Sequence, residues 1–447
     1  MKWFVGAFLV ACGGSGSQNT GPSDGSSLDS SIDGSNPDAP ALHACDPSTP
    51  DGPVTVWNSF PGAEVISHDV TGAFLGRASS GTGYDVQISV PGCGAVTVVE
   101  PGTAARLTFF AVQPGDTIWA SGHPAQSVTY MDARIVIDQP LANVTTYEAT
   151  ASHFCRGYLA PGSNEMTMHY SSRCVRPNNT STVLVYATGN TNPQLIGYSV
   201  FADVSLAQTV QTPLRVTSWN TPPMHHISVQ LAATEPGRSM AWGISPVDQG
   251  FRYERTWGSG ATATTTSTTF ETDVQYPAFG DAVVSGITIG YPGARSRRIE
   301  RTLATPLPAQ VTEDLSTGLL PAVHSPMRDN DPQRPTLSWT VDSTAIEEDI
   351  VVGSILVRVG GSSSGWHLVA PPGTRGLRVP ELPADLAASS FGPAADIAVA
   401  LGESTDVPSY REARQNYNRF MLGSTISIPP LLATGNVARF SAINFGY

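Results

Sequence analysis

Short runs in which apolar and polar residues alternate recur along this 447-residue chain and constrain its fold more than any other feature. Successive side chains of an extended backbone point to opposite faces, so such runs predict half-buried β-strands. The clearest runs are Val54 to Trp57, Val96 to Val99, Leu107 to Val112, Ile135 to Ile137, Val183 to Tyr186, Ile227 to Leu231, Ala261 to Phe270, Val283 to Ile289, Ile355 to Val359 and Ile397 to Leu401. Helical periodicity is confined to Leu382 to Ser389 and Tyr410 to Phe420. An all-β fold is predicted.

The length of the chain exceeds what one hydrophobic core normally serves, so several domains are expected. Turn signals and proline-rich stretches predict tandem β-sandwich domains. The predicted units are a first β-sandwich at 52–140, a β domain with a disulfide at 141–213, a β domain at 214–310, a linker at 311–334 and a last β domain at 335–447.

Two of these units resemble known families. The unit 52–140 contains a strand at Val54 to Trp57, a glycine-rich turn at Gly81 to Gly83 and the turn Pro114-Gly115-Asp116. In these features it resembles the carboxypeptidase-regulatory-like and bacterial immunoglobulin-like modules of exported proteins. The unit 335–447 contains a strand that ends at Trp339, a central hairpin and the stretch Leu377 to Pro380. In these features it resembles fibronectin type III domains. The resemblances imply immunoglobulin-like sandwiches with spacer or binding roles, and no particular chemistry.

The amino terminus has the layout of a secretory signal, since Lys2 precedes an apolar run from Trp3 to Ala11. That run is much shorter than the ~20 residues of a membrane-spanning helix. Leu9-Val10-Ala11-Cys12 resembles the lipobox of bacterial lipoproteins. The resemblance implies that residues 1–11 are a removed signal peptide and that Cys12 carries acyl chains such as palmitate. An ordinary signal peptide with a chance cysteine is the alternative.

Residues 12–51 are mostly Gly, Ser, Asn, Asp and Pro, with few large apolar side chains. Such a segment buries too little apolar surface to offset its conformational entropy, so we expect a disordered acidic linker. Behind a lipidated Cys12 it would lift the folded part off the membrane. The expected location is therefore the cell envelope, at the outer membrane, facing the periplasm or the cell surface.

The formal net charge of −13 argues against nucleic acid or anionic lipid as a partner for the bulk of the protein. The expected partners are the membrane, through the lipid anchor, and a protein or glycan ligand that the sequence does not identify. No cofactor is expected.

Besides Cys12, the chain has an even set of cysteines, which in an exported protein predicts disulfides. Sequence proximity favours the pairs Cys45–Cys93 and Cys155–Cys174 over the other pairings. A zinc site is the competing interpretation. It is disfavoured because no Cys-x-x-Cys pair is present and an oxidising compartment favours disulfides.

Two motifs suggest catalysis or metal binding at first sight. Gly361 to Gly365 matches Gly-x-Ser-x-Gly, but a nucleophile elbow needs a strand that leads into a helix, and here the segment lies between two alternating runs. A hairpin loop is predicted instead. The adjacent pair His225-His226 is expected to point to opposite faces of a strand, so the two rings do not easily share a metal.

Carboxylates and tryptophans supply the remaining candidates. Asp329 and Asp331 are weak calcium candidates, as is Glu347 to Asp349; a solvated turn is the alternative for each. Exposed tryptophans could stack on sugars, although a core position is favoured for each. The candidate tryptophans are Trp119, Trp219, Trp242, Trp257 and Trp366.

The leading functional hypothesis is a non-enzymatic, membrane-anchored surface lipoprotein that acts as a structural or binding and adhesion module. The alternative is a secreted hydrolase that acts on polysaccharide at a site between β domains, with carboxylates such as Glu347 to Asp349. Carboxylates gathered in one cleft would favour the hydrolase, and scattered ones the binding module.

Overall fold

The computed structural model describes residues 45–46, 48–57, 61–100, 105–120, 131–152, 155–159, 163–170, 174, 180–189, 195–205, 212–249, 251–253, 257–292, 295–359, 362–386, 396–407, 409–415, 417 and 435–445. Within these ranges the chain folds almost entirely into β-strands, with two short helices, so the predicted all-β fold is confirmed.

The strands fall in chain order into an N-terminal, a middle and a C-terminal group. The N-terminal group is β1 (Gly52–Trp57), β2 (Glu64–His68), β3 (Phe74–Ser79), β4 (Asp85–Val90), β5 (Gly94–Val99), β6 (Arg106–Val112), β7 (Thr117–Trp119) and β8 (Met131–Ile137). The middle group is β9 (Val144–Ser152), β10 (Cys155–Tyr158), β11 (Glu165–Tyr170), β12 (Thr180–Gly189), β13 (Leu195–Ser205), β14 (Leu214–Val216), β15 (Met224–Ala232), β16 (Ser239–Asp248), β17 (Phe251–Arg252), β18 (Trp257–Thr262), β19 (Ser267–Gln275), β20 (Ala282–Tyr291), β21 (Arg295–Ala304) and β22 (Gln310–Asp314). The C-terminal group is β23 (Val323–Arg328), β24 (Thr336–Val341), β25 (Ile350–Val359), β26 (Ser362–Ala370), β27 (Gly376–Arg378), β28 (Asp396–Ser404) and β29 (Val437–Phe445). The helices are α1 (Leu315–Gly318) and α2 (Tyr410–Gln415).

A thirteen-stranded sheet dominates the fold. Its order is β17-β16-β20-β21-β29-β28-β25-β26-β6-β5-β2-β3, with β18 also paired to β16. Three small sheets have the orders β4-β1-β7, β19-β15-β22 and β23-β24-β27. A seven-stranded sheet has the order β13-β12-β9-β10-β11-β8-β14.

Each small sheet packs on part of the large one, which makes the β-sandwich layers that the sequence predicts. β19-β15-β22 shares a hydrophobic cluster with β16, β20 and β21. β4-β1-β7 does so with β2, β5 and β6, and β23-β24-β27 with β25, β26 and β28. Alternate residues of each strand supply these clusters, because successive side chains of a strand face opposite sides.

The large sheet runs through three of the predicted units. β26 lies parallel to β6, with Trp366 opposite Arg106 and Val369 opposite Phe109. This pairing joins a strand of 335–447 to a strand of 52–140, and β29 with β21 joins 335–447 to 214–310. The predicted domain bounds stay a prediction; the strands of these units pair across them.

A chain of buried hydrogen bonds crosses the seam between β26 and β6. Trp366 Nε1 donates to Thr108 Oγ1 at 2.8 Å, Thr108 and Thr97 hydroxyls are 2.8 Å apart, and Thr97 Oγ1 is 2.9 Å from His68 Nε2. The indole N–H can only donate, so Thr108 Oγ1 accepts from Trp366, whereas each contact between Thr108, Thr97 and His68 can run in either direction. Burial lowers the pKa of His68 to about 4.

Helix α2 covers the same seam. Tyr410 Oη lies 2.8 Å from the carbonyl oxygen of Phe110 in β6 and 3.1 Å from that of Val369 in β26. Arg414 Nη2 lies 2.5 Å from Asp116 Oδ2, and both side chains are 1% exposed. The helix thus contacts the N-terminal and C-terminal strands at once.

Both predicted disulfides are confirmed, Cys45–Cys93 and Cys155–Cys174. Their Cα–Cα distances of 5.5 and 6.2 Å suit the bond. This pairing leaves none of the four as a thiolate for the zinc alternative. Because structural disulfides persist in oxidising compartments, they indicate an extracytoplasmic location. Among the described residues, no helix has the length and apolar character that crossing a membrane would take.

Two local expectations need adjustment. The predicted hairpin forms, but β25 and β26 pair as far as Val359 opposite Ser362. Ser362 to Gly365 therefore belong to strand β26, and the loop is shorter than the predicted 360–365. Of the predicted helices, Tyr410–Gln415 forms, whereas Leu382 to Leu386 contains a turn and 387–389 lie outside the described residues.

Candidate functional site

Cys12, the predicted lipid-attachment residue, lies outside the described residues, as do residues 13–44 of the predicted linker. The lipid anchor therefore stays a prediction.

The calcium candidates Asp329 and Asp331 bind backbone N–H groups. Asp329 Oδ1 accepts from Thr336 N at 3.0 Å, and Asp331 Oδ1 accepts from Gln333 N and Arg334 N at 2.9 Å each. The latter bonds lower the pKa of Asp331. Both carboxylates thus shape the turn before β24. In the part of the chain that the structure describes, no three His, Cys, Asp or Glu side chains gather so as to hold a metal ion.

The carboxylates of Glu347 to Asp349 are bound to different parts of the fold. Buried Glu348 pairs with Arg375 at 2.6 Å. Asp349 Oδ2 accepts from Ser404 N at 2.8 Å, and burial raises the pKa of this carboxyl. Glu347 lies 3.3 Å from an arginine of β29. The segment therefore supports neighbouring elements, which accounts for its charges without a ligand.

His225 and His226 point to opposite faces of β15, as expected. The ring of His225 packs on Tyr276 with centroids 4.6 Å apart, and burial lowers its pKa. His226 Nδ1 lies 2.8 Å from Asp273 Oδ1, and its Nε2 3.3 Å from Glu271 Oε2. The hydrogen bond to Asp273 raises the pKa of His226. The two rings do not form a shared site.

Among the described residues, neither the Gly361 to Gly365 motif nor the tryptophans form a catalytic or sugar-binding cluster with one another. The serines of the motif lie in β26, which is the second strand of a hairpin and leads into no helix. Trp242 and Trp366 are core residues, each 2% exposed. Trp219 donates to the carbonyl oxygen of Gln139 at 2.6 Å. Trp119 is partly buried in β7, and the side chain of Trp257 lies outside the described residues.

A polar cleft with a volume of about 130 Å³ lies where β21 and β29 meet β23 and the turn before β16. Arg238, Arg295 and Arg297 line it, so we name it the arginine cleft. In the sheet, Arg297 lies directly opposite Ser441 of β29. Residues that face each other across strands share one side of the sheet, as do residues two apart in a strand. Arg295, Arg297 and Ser441 therefore belong to one face.

His324 connects Arg295 to Asp342 in this cleft. Arg295 Nη1 lies 2.7 Å from His324 Nδ1. Because a guanidinium only donates, Nδ1 accepts and the neutral ring carries its proton on Nε2. That nitrogen lies 2.7 Å from Asp342 Oδ1, at ion-pair distance but outside hydrogen-bond geometry. The lone pair on Nδ1 is thus engaged by Arg295 and is not available to act as a base for a serine.

The backbone after His324 is irregular. The register of β23 with β24 shifts between His324 and Met327, and Ser325 has a φ of 46°. A bulge of this kind redirects the neighbouring side chains of a strand. It accompanies the turn of His324 toward the arginines of β21.

The other two arginines are fixed by local contacts. Arg238 Nε donates to Glu235 Oε2 at 2.9 Å, and its guanidinium lies 5.0 Å from the ring centroid of Tyr291. Arg297 Nε donates to the carbonyl oxygen of Leu320 at 2.7 Å. The cleft thus holds three arginines against two carboxylates, Glu235 and Asp342, in a chain whose formal net charge is −13.

Ser441 is the buried polar group of the arginine cleft. It is 1% exposed, and its Oγ has no hydrogen-bond partner among the described residues. A buried hydroxyl left unpaired costs about 1–3 kcal/mol. Such a group in a polar cleft therefore marks a place where a ligand or a water molecule completes the bonding.

A second cleft of about 120 Å³ differs in charge. Arg301 and Glu313 line it between β21 and β22. They form a two-pronged ion pair at 2.5 and 2.6 Å. Since Glu313 accepts from Nε and Nη2 of Arg301 and offsets its charge, this cleft offers less to an anion than the arginine cleft does.

Sequence reasoning did not find the arginine cleft. Arg295–Ala304 reads RSRRIERTLA, in which charged residues hide the strand alternation. The sequence did contain one signal. Arg295 and Arg297 are two residues apart, so in a strand they would place two positive charges on the same face. His324, Asp342 and Ser441 come from distant segments, and their meeting depends on the order of the strands in the sheet.

Comparisons with known proteins give no family. No protein-family model matches the chain, and no curated protein matches it. The native conformation of E. coli alpha-2-macroglobulin, seen by cryo-EM, aligns at 8% identity with a TM-score of 0.12. The alignment covers 89% of this chain and 28% of that one, so the chain spans less than a third of its length. A likeness of this size carries no argument about function.

Proposed function

We propose that this chain is a lipid-anchored protein of the cell envelope that works as a binding or structural module and catalyses no reaction. The observation that supports the proposal is the set of contacts that the polar side chains of the arginine cleft already make. Its imidazole, His324, accepts from Arg295 on Nδ1, and its carboxylates, Glu235 and Asp342, lie against Arg238 and the His324 ring. A general base needs a lone pair within reach of a substrate proton. The arginine donors of this cleft outnumber its carboxylates, and the lone pair on Nδ1 of its imidazole is engaged, which suits binding.

The fold also suits a rigid support. The large sheet continues through the strands of three predicted units, and α2 holds its parallel seam. Binding sites carried by strands of a packed scaffold are held more precisely than sites on loops. Anchoring at the outer membrane through Cys12 completes the proposal and is supported by the lipobox resemblance and the extracytoplasmic disulfides.

The anchor is tested by fractionation of bacteria that express the full chain. The native protein should enter the membrane fraction and incorporate labelled palmitate. Cys12→Ser should abolish both, because the thiol is the acceptor of the lipid. Ser17→Ala, also within the predicted linker, is the matched control. Membrane association of Cys12→Ser equal to that of the native protein would reject the anchor.

The absence of catalysis is tested with the full-length protein in detergent on a panel of polysaccharides and esters. We expect no turnover above buffer. Turnover that disappears in Glu347→Gln or Asp349→Asn would reject the proposal in favour of the polysaccharide hydrolase.

A further inference from the structure

We infer that the arginine cleft is a binding site for a small ligand that bears one carboxylate. The inference rests on the proposed binding function and names the chemistry of its ligand. It starts from the unpaired donors of Arg238, Arg295 and Ser441, which line one cleft.

The donors that remain free are specific atoms. Arg295 uses Nε for the carbonyl oxygen of Pro292 at 2.9 Å and Nη1 for His324, which leaves Nη2 without a bond in the described part of the chain. Arg238 uses only Nε, for Glu235, so both of its Nη groups stay free of the described residues. The buried hydroxyl of Ser441 adds a further donor.

These donors are held in place before any ligand arrives. The Pro292 carbonyl and His324 fix two of the three nitrogens of Arg295. Arg238 is fixed by Glu235 and by the ring of Tyr291. Groups that are already ordered lose less entropy when they bind a ligand, so preorganised arginines favour recognition of a small anion.

Charge and shape select the carboxylate. Three arginines, two carboxylates and a neutral His324 give the lining a formal charge of +1. One negative charge neutralises it, whereas a phosphate dianion leaves an excess of negative charge beside Glu235 and Asp342. The planar guanidinium also matches the planar carboxylate through paired hydrogen bonds. A ligand with a single carboxylate fits both conditions.

The test is calorimetric titration of the full-length protein in detergent with glucuronate, glucose and inorganic phosphate. Glucuronate differs from glucose only at C6, where a carboxylate replaces the hydroxymethyl group. We expect saturable binding of glucuronate, none of glucose, and binding of phosphate at least about tenfold weaker than that of glucuronate. No saturable binding of glucuronate in the tens of millimolar would overturn the inference, as would phosphate that binds more tightly than glucuronate.

Variants separate the cleft from non-specific charge. Arg238→Gln should weaken glucuronate binding about tenfold, the effect of one charge-assisted hydrogen bond. Arg134→Gln is the matched control, since Arg134 also pairs with a carboxylate, Glu165 at 2.6 Å, but in the seven-stranded sheet. Equal weakening by both variants would overturn the site.

Ser441→Ala supplies a readout that a structural role would not give. Removal of an unpaired buried hydroxyl should leave the thermal midpoint of unfolding unchanged or higher. It should also weaken glucuronate binding. A lower midpoint with unchanged binding would overturn the role of Ser441. Loss of carboxylate binding while membrane anchoring and the absence of turnover persist would reject this inference and leave the proposed function standing.

Discussion

The indole N–H of Trp366 donates a 2.8 Å hydrogen bond to Thr108 Oγ1, across a sequence separation of 258 residues. The two residues lie in β26 and β6, the parallel neighbours at which the C-terminal strands join the N-terminal ones. A parallel pair has no hairpin turn to set its register. The hydrogen bond between Trp366 and Thr108 is therefore a specific contact between the two strands at the seam, although the residues are distant in sequence.

Thr108→Val should destabilise the seam, because valine keeps the shape of threonine and removes the acceptor for the Trp366 N–H. A buried donor left unsatisfied costs about 1–3 kcal/mol, and the free energy of unfolding should fall by that amount. Urea denaturation followed by tryptophan fluorescence measures it.

Thr108→Ser is the control for this substitution, since it keeps the hydroxyl and loses only a methyl group. It should retain more of the stability than valine does. A serine variant as unstable as the valine variant would show that packing, and not the hydrogen bond, holds the seam.

Stability should fall as the pH drops from about 6.5 to about 4. Burial lowers the pKa of His68 and of His367 from 6.5 to about 4 in the folded protein. Within that window the unfolded chain binds protons that the folded chain does not, so acidification favours unfolding. Each histidine accounts for about 3 kcal/mol of this loss. Urea midpoints measured across the window test the expectation.

His68→Gln isolates one contribution to the pH dependence. A glutamine amide can donate to or accept from Thr97 Oγ1 in place of Nε2, but it does not titrate. The variant should lose stability less steeply between pH 6.5 and 4, the window set by the histidine pKa values. An unchanged slope would mean that His68 takes up no proton on unfolding in this window.

The sequence predicts strands well where one face is apolar. The run Val283 to Ile289 lies within β20, and Val54 to Trp57 lies within β1. It fails where charged residues interrupt the apolar face of a strand, as in β21, because the alternation is then obscured. The disulfide pairs follow from proximity, whereas the parallel pairing of β26 with β6 does not, since no short-range signal specifies a partner so far away in sequence.

The arginine cleft was out of reach of the sequence for a related reason. His324 was one of several isolated histidines, and its contact with Arg295 lies beside an irregular backbone at Ser325 that no sequence pattern indicates. The candidates that sequence patterns did single out, Asp329 and Asp331, carry a local signal of acidic spacing. That signal is shared by turns, and turn capping is what both carboxylates do.

Removal of a disulfide should destabilise the protein, and by more for the longer of the two loops. Cys155 and Cys174 are 19 residues apart, and Cys45 and Cys93 are 48 apart. Chain entropy predicts losses of about 3 and about 4 kcal/mol respectively. Alanine at both positions of each pair, with urea denaturation under oxidising conditions, measures them. A smaller loss for Cys45–Cys93 than for Cys155–Cys174 would contradict the loop-length argument.

Arg414→Met should be among the most destabilising single changes near α2. It leaves the Asp116 carboxylate, 1% exposed, without its buried partner at 2.5 Å. Breaking a buried ion pair from one side costs about 3–5 kcal/mol, because the remaining charge is uncompensated. Urea denaturation should show the loss, and tryptophan fluorescence should report the exposure of the seam.

Arg411→Met is the matched control, on the same helix and toward the same carboxylate. Arg411 approaches Asp116 within 2.7 Å, but its side chain is 52% exposed, so water replaces the lost charge. Its loss should cost less than about 1 kcal/mol. Arg414→Met with Asp116→Asn should recover part of the stability, since the second change removes the stranded charge. Equal effects of the two arginine variants, or no recovery in the double variant, would show that α2 is held by Tyr410 and apolar packing instead of the buried pair.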